Sequence, residues 1–315
     1  MIQSKNKLFL LFFALLIAFR CFASDHEFIS CFESKYFEKK YLSIGKKLSK
    51  EDMLFFVDTL KKDKFCTDLQ FSPGTLASQN IGILVDALKI TEHVTGVALS
   101  HNSLSAEAEK IANLLKHNNT IQELELQDTG ISPDELFVLA EALEVNKSLE
   151  KLNLRDNYIG SRINFARLKK KNALARFAEA LKKNQALKDL NLSKCNLNEE
   201  DALLIVSALR DNTNIKNLDI SGNLLMPKAI IAILDALHAN QSLISISLDI
   251  NYRKENIEAV IYAVLELLKI NTRIFISVGA TSHSEIPDLK KLLSIINTKY
   301  SNRVNSSPGL SWIIN

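Results

Sequence analysis

The residues with the readiest chemistry are four cysteines and six histidines, and their spacing offers little chemistry. Cys21, Cys31, Cys66 and Cys195 contain no pair with the spacing of a zinc site. His26, His93, His101, His117, His238 and His283 are scattered, and none sits with a nucleophile and a carboxylate in a recognisable motif. Nine glycines in 315 residues form no phosphate-cradling loop. The expectation is a binding protein rather than an enzyme, with no catalytic residues, no metal and no cofactor.

Charge narrows the partners. The chain has 39 basic and 36 acidic residues, but Lys5, Lys7 and Arg20 lie in an acid-free start, and the remainder is balanced. A neutral body gives no support for nucleic-acid binding, so a protein partner is expected. One local exception is the stretch at 160–172, where Arg162, Arg167, Lys169, Lys170 and Lys171 have no acid among them. It reads either as a basic knob for an anionic surface or as a solvated loop or extended helix start.

The elements that position these residues repeat. From Leu190 the chain reads LNLSKCNL, then an amphipathic stretch, then LDISGNLL and a second amphipathic stretch. Equivalent residues fall at Phe71, Leu99, Leu126, Leu154, Leu192, Ile220, Leu248 and Ile276. All steps are 27 or 28 except the one after Leu154, which is 38 and carries the basic insertion. The helical half repeats too: Leu136, Leu139, Ala140 and Leu143 share one face, as do Ala202, Ile205, Val206 and Leu209. Ser132-Pro133-Asp134-Glu135 reads as a capping box, and Asn198 with Asp201 reads the same way. Asn118, Asn146, Asn184, Asn212 and Asn240 each begin an N-x-x-[LI] turn, which can fold back on the last carbonyls of its helix.

LxxLxLxxNxL followed by an amphipathic helix at this period resembles a leucine-rich repeat protein of the ribonuclease-inhibitor type. The resemblance covers roughly residues 66–278 and implies an α/β solenoid, a horseshoe of about 7–8 strand–helix repeats with strands on the concave face. It also implies a ladder of side chains at Asn102, Thr129, Asn157, Cys195, Asn223 and Asn251 that bonds the turning backbone. Thr129 is expected to be the weak rung, and Cys195 a buried structural thiol.

In LxLxx the residues between the leucines point away from the core. The expected partner-binding residues on the concave face are therefore Glu125, Gln127, Asp128, Asn153, Arg155, Asp156, Asn191, Lys194 and Asp219. Ser193 belongs to the same outward row, and Phe275, Ser277 and Val278 extend it into the last unit.

The flanks are organised differently. Residues 1–23 read as a secretory signal: Lys5 and Lys7, an apolar run from Leu8 to Phe19, and Ala23 before the cleavage site. The alternative is an uncleaved anchor. Residues 24–65 are expected to form an N-terminal helical cap. Phe28, Phe32, Tyr36, Phe37 and Tyr41 lie at near-helical spacing, and Ser49 opens a second helix. Cys31 and Cys66 could join this cap to the first repeat. Residues 279–315 are expected to hold a capping helix near 288–296 and a tail with an apolar end. Together these features predict an exported, monomeric bacterial protein that binds a protein partner. The resemblance extends to effectors that intracellular pathogens deliver into host cells. A periplasmic or surface structural protein, or a membrane-anchored display protein, are the alternatives.

Overall fold

The computed structural model describes residues 29–33, 40–62, 66–160, 172–223, 225–250, 257–271, 273–280 and 310–314. The signal segment, the insertion at 161–171, Asn251 and the expected helix near 288–296 lie outside them. Eleven strands form one sheet in chain order. β1 (Ile29–Glu33) pairs antiparallel with β2 (Lys40–Ile44), and every later pairing is parallel.

Eight strand–helix units follow one another. β2 leads to α1 (Lys50–Lys62), β3 (Asp68–Phe71) to α2 (Ser78–Leu88), and β4 (Gly96–Ala98) to α3 (Ala108–His117). β5 (Glu123–Glu125) leads to α4 (Pro133–Val145), β6 (Lys151–Asn153) to α5 (Ala173–Lys183), and β7 (Asp189–Asn191) to α6 (Glu199–Asp211). β8 (Asn217–Asp219) leads to α7 (Pro227–Ala236) and β9 (Ser245–Ile250) to α8 (Ile257–Ile270). β10 (Phe275–Ala280) and β11 (Leu310–Ile314) end the sheet.

The strands are short because each repeat supplies only two inward leucines before it turns. Leu124 and Leu126, Leu152 and Leu154, Leu190 and Leu192, Leu218 and Ile220 are all buried. The helical columns read from the sequence face them: Leu136, Leu139, Ala140 and Leu143 on α4, and Ala202, Ile205, Val206 and Leu209 on α6, are buried. Both capping boxes form. The Ser132 hydroxyl accepts the Asp134 N–H and its own N–H donates to Glu135. Asn198 accepts the Asp201 N–H at 2.9 Å. The long fourth step leaves the helix layer intact: Lys183 on α5 reaches Glu144 on α4 at 2.6 Å, and Arg176 bonds the same carboxylate.

Two rows of side chains tie repeat to repeat. In the first, Asn157 donates to the carbonyls of Leu126 at 2.7 Å and Leu154 at 2.8 Å, and accepts the Ile131 N–H at 2.9 Å. Asn223 repeats this with Leu192, Ile220 and Cys195. Cys195 stands in for the amide, its thiol 3.1 Å from the carbonyl of Leu154 in the preceding repeat. Thr129 is the weak rung: its hydroxyl donates to Leu126 of its own repeat, and only its backbone carbonyl receives the Leu104 N–H.

The second row adds to the expected turn contact: each turn asparagine folds back on its own helix through its backbone N–H, Asn146 to Ala142 and Asn212 to Ala208. Through their side chains Asn146 donates to Leu115, Asn184 to Leu143, and Asn212 to Leu181, each one repeat earlier.

Three differences lie at the ends. The N-terminal cap is not two helices: the aromatic stretch contributes strands, with Leu42 and Ile44 buried at a spacing of two. Leu42 stands opposite Leu69, so the solenoid begins at β2 rather than at 66. The second expected helix is present as α1 and buries Met53, Phe56, Val57 and Leu60, while Leu54 is exposed. At the other end Ile276 is level with Ile246, and Val278 with Leu248, so the last step is two residues longer than 28. The apolar end of the tail is β11, parallel to β10.

Candidate functional site

Each strand of the central sheet offers the concave face its first and third residues, followed by the residue after the second leucine and a corner residue. Asn153 on β6 accepts the Arg155 N–H at 3.0 Å and donates to Glu125 on β5 at 2.5 Å. Asn191 on β7 accepts the N–H and hydroxyl of Ser193 at 2.9 and 2.7 Å. Asp219 on β8 accepts from Ser221 in the same way, at 2.9 and 2.6 Å. These bonds fix side-chain rotamers before any partner arrives. Gln127 is partly exposed, its N–H held by the Ser100 hydroxyl at 3.2 Å.

The corners are unusual. His101, Asp128, Asp156 and Lys194 occupy the same place in four successive repeats, with φ of 60°, 50°, 56° and 53°. Gly222 follows at 68°. Glycine is the residue that adopts this region without steric cost. A Cβ on Gly222 would stand 2.5 Å from Cγ of Lys194, so glycine there also lets the lysine stem cross it. Asp128 pairs with His101 at 3.0 Å, and Arg155 pairs with Asp156 at 3.1 Å. Arg155 and Asp156 stay about one-third exposed, and Lys194 is exposed.

The expected site residues therefore share one face. Two expected members of the row do not join it. Ser193 is fully buried, its hydroxyl donating to Asn191. In the last unit the shift in register makes Gly279, not Ser277, level with Asp249, and sets Val278 level with the inward Leu248. The sequence reading also overlooked a column, Glu123, Lys151, Asp189 and Asn217, which heads strands β5 to β8. The period of two that places Glu125 on this face places Glu123 there too. Lys151 pairs with Glu123 at 2.9 Å, and Asn217 donates to Asp189.

Cys195 offers no nucleophile. Burial pushes its thiol up to about 12, and Cys66 is buried as well, bonded to the Asp68 carbonyl at 3.4 Å. The Cys31 side chain lies outside the described residues. Among the described residues no three His, Cys, Asp or Glu side chains are grouped to hold a metal, and no helix is long and apolar enough to cross a membrane.

Residues 145–163 match a family model described as Leucine Rich repeat. With the repeated strand–corner–helix geometry, this makes the chain a leucine-rich repeat protein with an open α/β solenoid fold. No curated protein matches it. Solved structures do. The actin-binding site 2 of leiomodin-1 is 23% identical with TM-score 0.38, over 54% of this chain and 94% of that one. The Caenorhabditis elegans tropomodulin C-terminal domain is 16% identical with TM-score 0.40, over 53% and 93%. A Bacteroides fragilis protein is 16% identical with TM-score 0.43, over 76% and 74%.

Proposed function

We propose that this chain binds a protein partner through the centre of its concave face, around Arg155, Asp156, Asp128 and Lys194. The observation that carries the reading is the corner column. Four repeats in a row place a polar or charged side chain where the backbone favours glycine; His and Asp tolerate this region, while at Lys194 the departure costs about 1 kcal/mol or more. Unfavourable backbone held in place by its surroundings clusters at binding sites. Here it sets four long or polar side chains along one rim of an ordered hydrogen-bonded face. A photo-crosslinking residue at Asn153 should capture the partner from a lysate of the source cell, whereas one at Glu179 on α5 should not. Capture from both positions, or from Glu179 alone, contradicts the reading.

The same proposal includes export from a bacterium, with delivery to a host cell as its most specific form. It is supported by Lys5, Lys7 and the apolar run Leu8 to Phe19. A mature chain beginning at Ser24 in the culture supernatant or host cytosol is the expected result. An intact Met1 in every fraction contradicts it.

A further inference from the structure

The concave face carries a shallow groove of about 230 Å³ over strands β5 to β9. Its charged lining is uneven. Glu125, Asp189 and Asp219 each use one carboxylate oxygen internally, held by Asn153, Asn217 and Ser221. The second oxygen of each makes no hydrogen bond or ion pair among the described residues. Of the residues lining the groove the cation is Lys151, engaged with Glu123 at 2.9 Å, and at the corner Arg155 is engaged with Asp156 at 3.1 Å. The groove is thus a sheet face with three fixed carboxylates, each presenting an unused oxygen and none paired with a cation.

The spacing discriminates among cationic ligands. Glu125 stands two strands from Asp189, about 10 Å at ordinary strand separation, and Asp219 is one strand further. A single metal ion bound at about 2.3–2.6 Å cannot gather carboxylates so far apart. An extended peptide advances about 3.3 Å per residue and presents alternate side chains to one face, so five or six residues span the row. Lysine and arginine stems have the length to reach each carboxylate separately.

We propose that this groove docks an extended Lys/Arg-rich segment of the partner protein, with Glu125, Asp189 and Asp219 each taking one basic side chain. The proposal rests on the reading of the concave face as the partner site and adds the chemistry of what it holds.

The test uses the whole chain and a fluorescent eight-residue peptide of alternating Arg and Ser, with the alternating Glu–Ser peptide and spermine as comparisons. The Arg–Ser peptide should bind, weakening as salt rises, and the Glu–Ser peptide should not. The triple variant Glu125→Gln/Asp189→Asn/Asp219→Asn keeps an acceptor oxygen at each site, so its urea melt should stay close to the wild type. It should bind the Arg–Ser peptide at least about tenfold more weakly. Glu141→Gln/Glu179→Gln on the helical face should bind as wild type does. No peptide binding, equal binding by the triple variant, or equally tight binding of spermine would overturn the proposal. If the peptide fails while crosslinking at Asn153 still captures a partner, the basic segment is wrong and the concave site stands. If both fail, the concave site falls as well.

Discussion

The side-chain amide of Asn146 donates to the carbonyl of Leu115 at 2.7 Å, from the end of one helix to the end of the helix one repeat earlier. Its own carbonyl oxygen receives the N–H groups of Ser148 and Leu149 at 3.0 and 2.7 Å. Asn118, Asn184, Asn212 and Asn240 make the equivalent connection to Leu88, Leu143, Leu181 and Leu209. The solenoid is thus tied at both ends of its strands: at the corners by Asn102, Asn157 and Asn223, and at the helix ends by this second row. The two ties keep the inter-repeat angle fixed, and a fixed angle keeps the concave side chains in register.

Removing one helix-end rung should therefore be costly. Asn146→Ala leaves buried backbone donors and an acceptor unmatched, each worth about 1–3 kcal/mol, so urea melts should show a loss of at least about 2 kcal/mol. The neighbouring exposed Lys147→Ala should leave the midpoint unchanged. Equal effects would show that the row is decorative.

Core positions should respond more strongly still. Leu192 and Leu218 are almost wholly buried between sheet and helices. Leu→Ala at either should cost about 2–5 kcal/mol, from lost burial and the cavity left behind. A melt of Leu192→Ala within error of wild type would contradict the register.

Cys195 gives a pH signature. Its thiol is pushed up to about 12 by burial, whereas in the unfolded chain it returns towards 9.0. The folded pKa is the higher one, so the unfolded state loses its proton first. The contribution is full below about pH 9 and is lost as pH rises towards 12, at no more than about 1.4 kcal/mol per pH unit. Iodoacetamide should leave Cys195 unmodified in the native chain and alkylate it in urea. Rapid native labelling would contradict the buried thiol.

Much of this architecture is legible in the sequence because leucine spacing and burial coincide. The strand positions from Leu99 to Leu248, the helical columns and both capping boxes follow from local patterns alone. The ends are less legible. At Tyr41 to Ile44 an aromatic series at helical spacing overlaps an alternation of two, and pairing with β3 decides for the strand. Near Ile276 the step lengthens by two residues, and only the partner strand reveals which residue is level with Leu248. The direction of the turn asparagines depends on the neighbouring helix, which no single repeat encodes. At the candidate site the outward residues are readable, but alternation does not foresee that Ser193 is buried while its hydroxyl donates to Asn191.

Backbone geometry at the corners offers another check. Lys194 holds φ at 53°, a region that β-branched residues strongly avoid. Lys194→Gly should keep or raise stability, and Lys194→Val should lower it by about 1–3 kcal/mol. Gly160 is constrained by space instead: a Cβ there would lie 2.0 Å from the carbonyl oxygen of Asn196. Gly160→Ala should therefore shift the melt downward. A neutral result at both positions would mean that the loops between repeats adapt freely.

A partner seated on the concave face should meet Arg155. Among the described residues the guanidinium bonds only Asp156, at 3.1 Å, and is about one-third exposed, so Arg155→Ala should leave the melting curve nearly unchanged. At an interface, arginine is favoured among the residues that carry most of the binding energy. Titration calorimetry of the crosslink-identified partner against wild type and Arg155→Ala should show a loss of about 2 kcal/mol or more, roughly thirtyfold in affinity. Unchanged affinity in Arg155→Ala and in Lys194→Ala, with weakened binding from substitutions on the helical face, would contradict that seating.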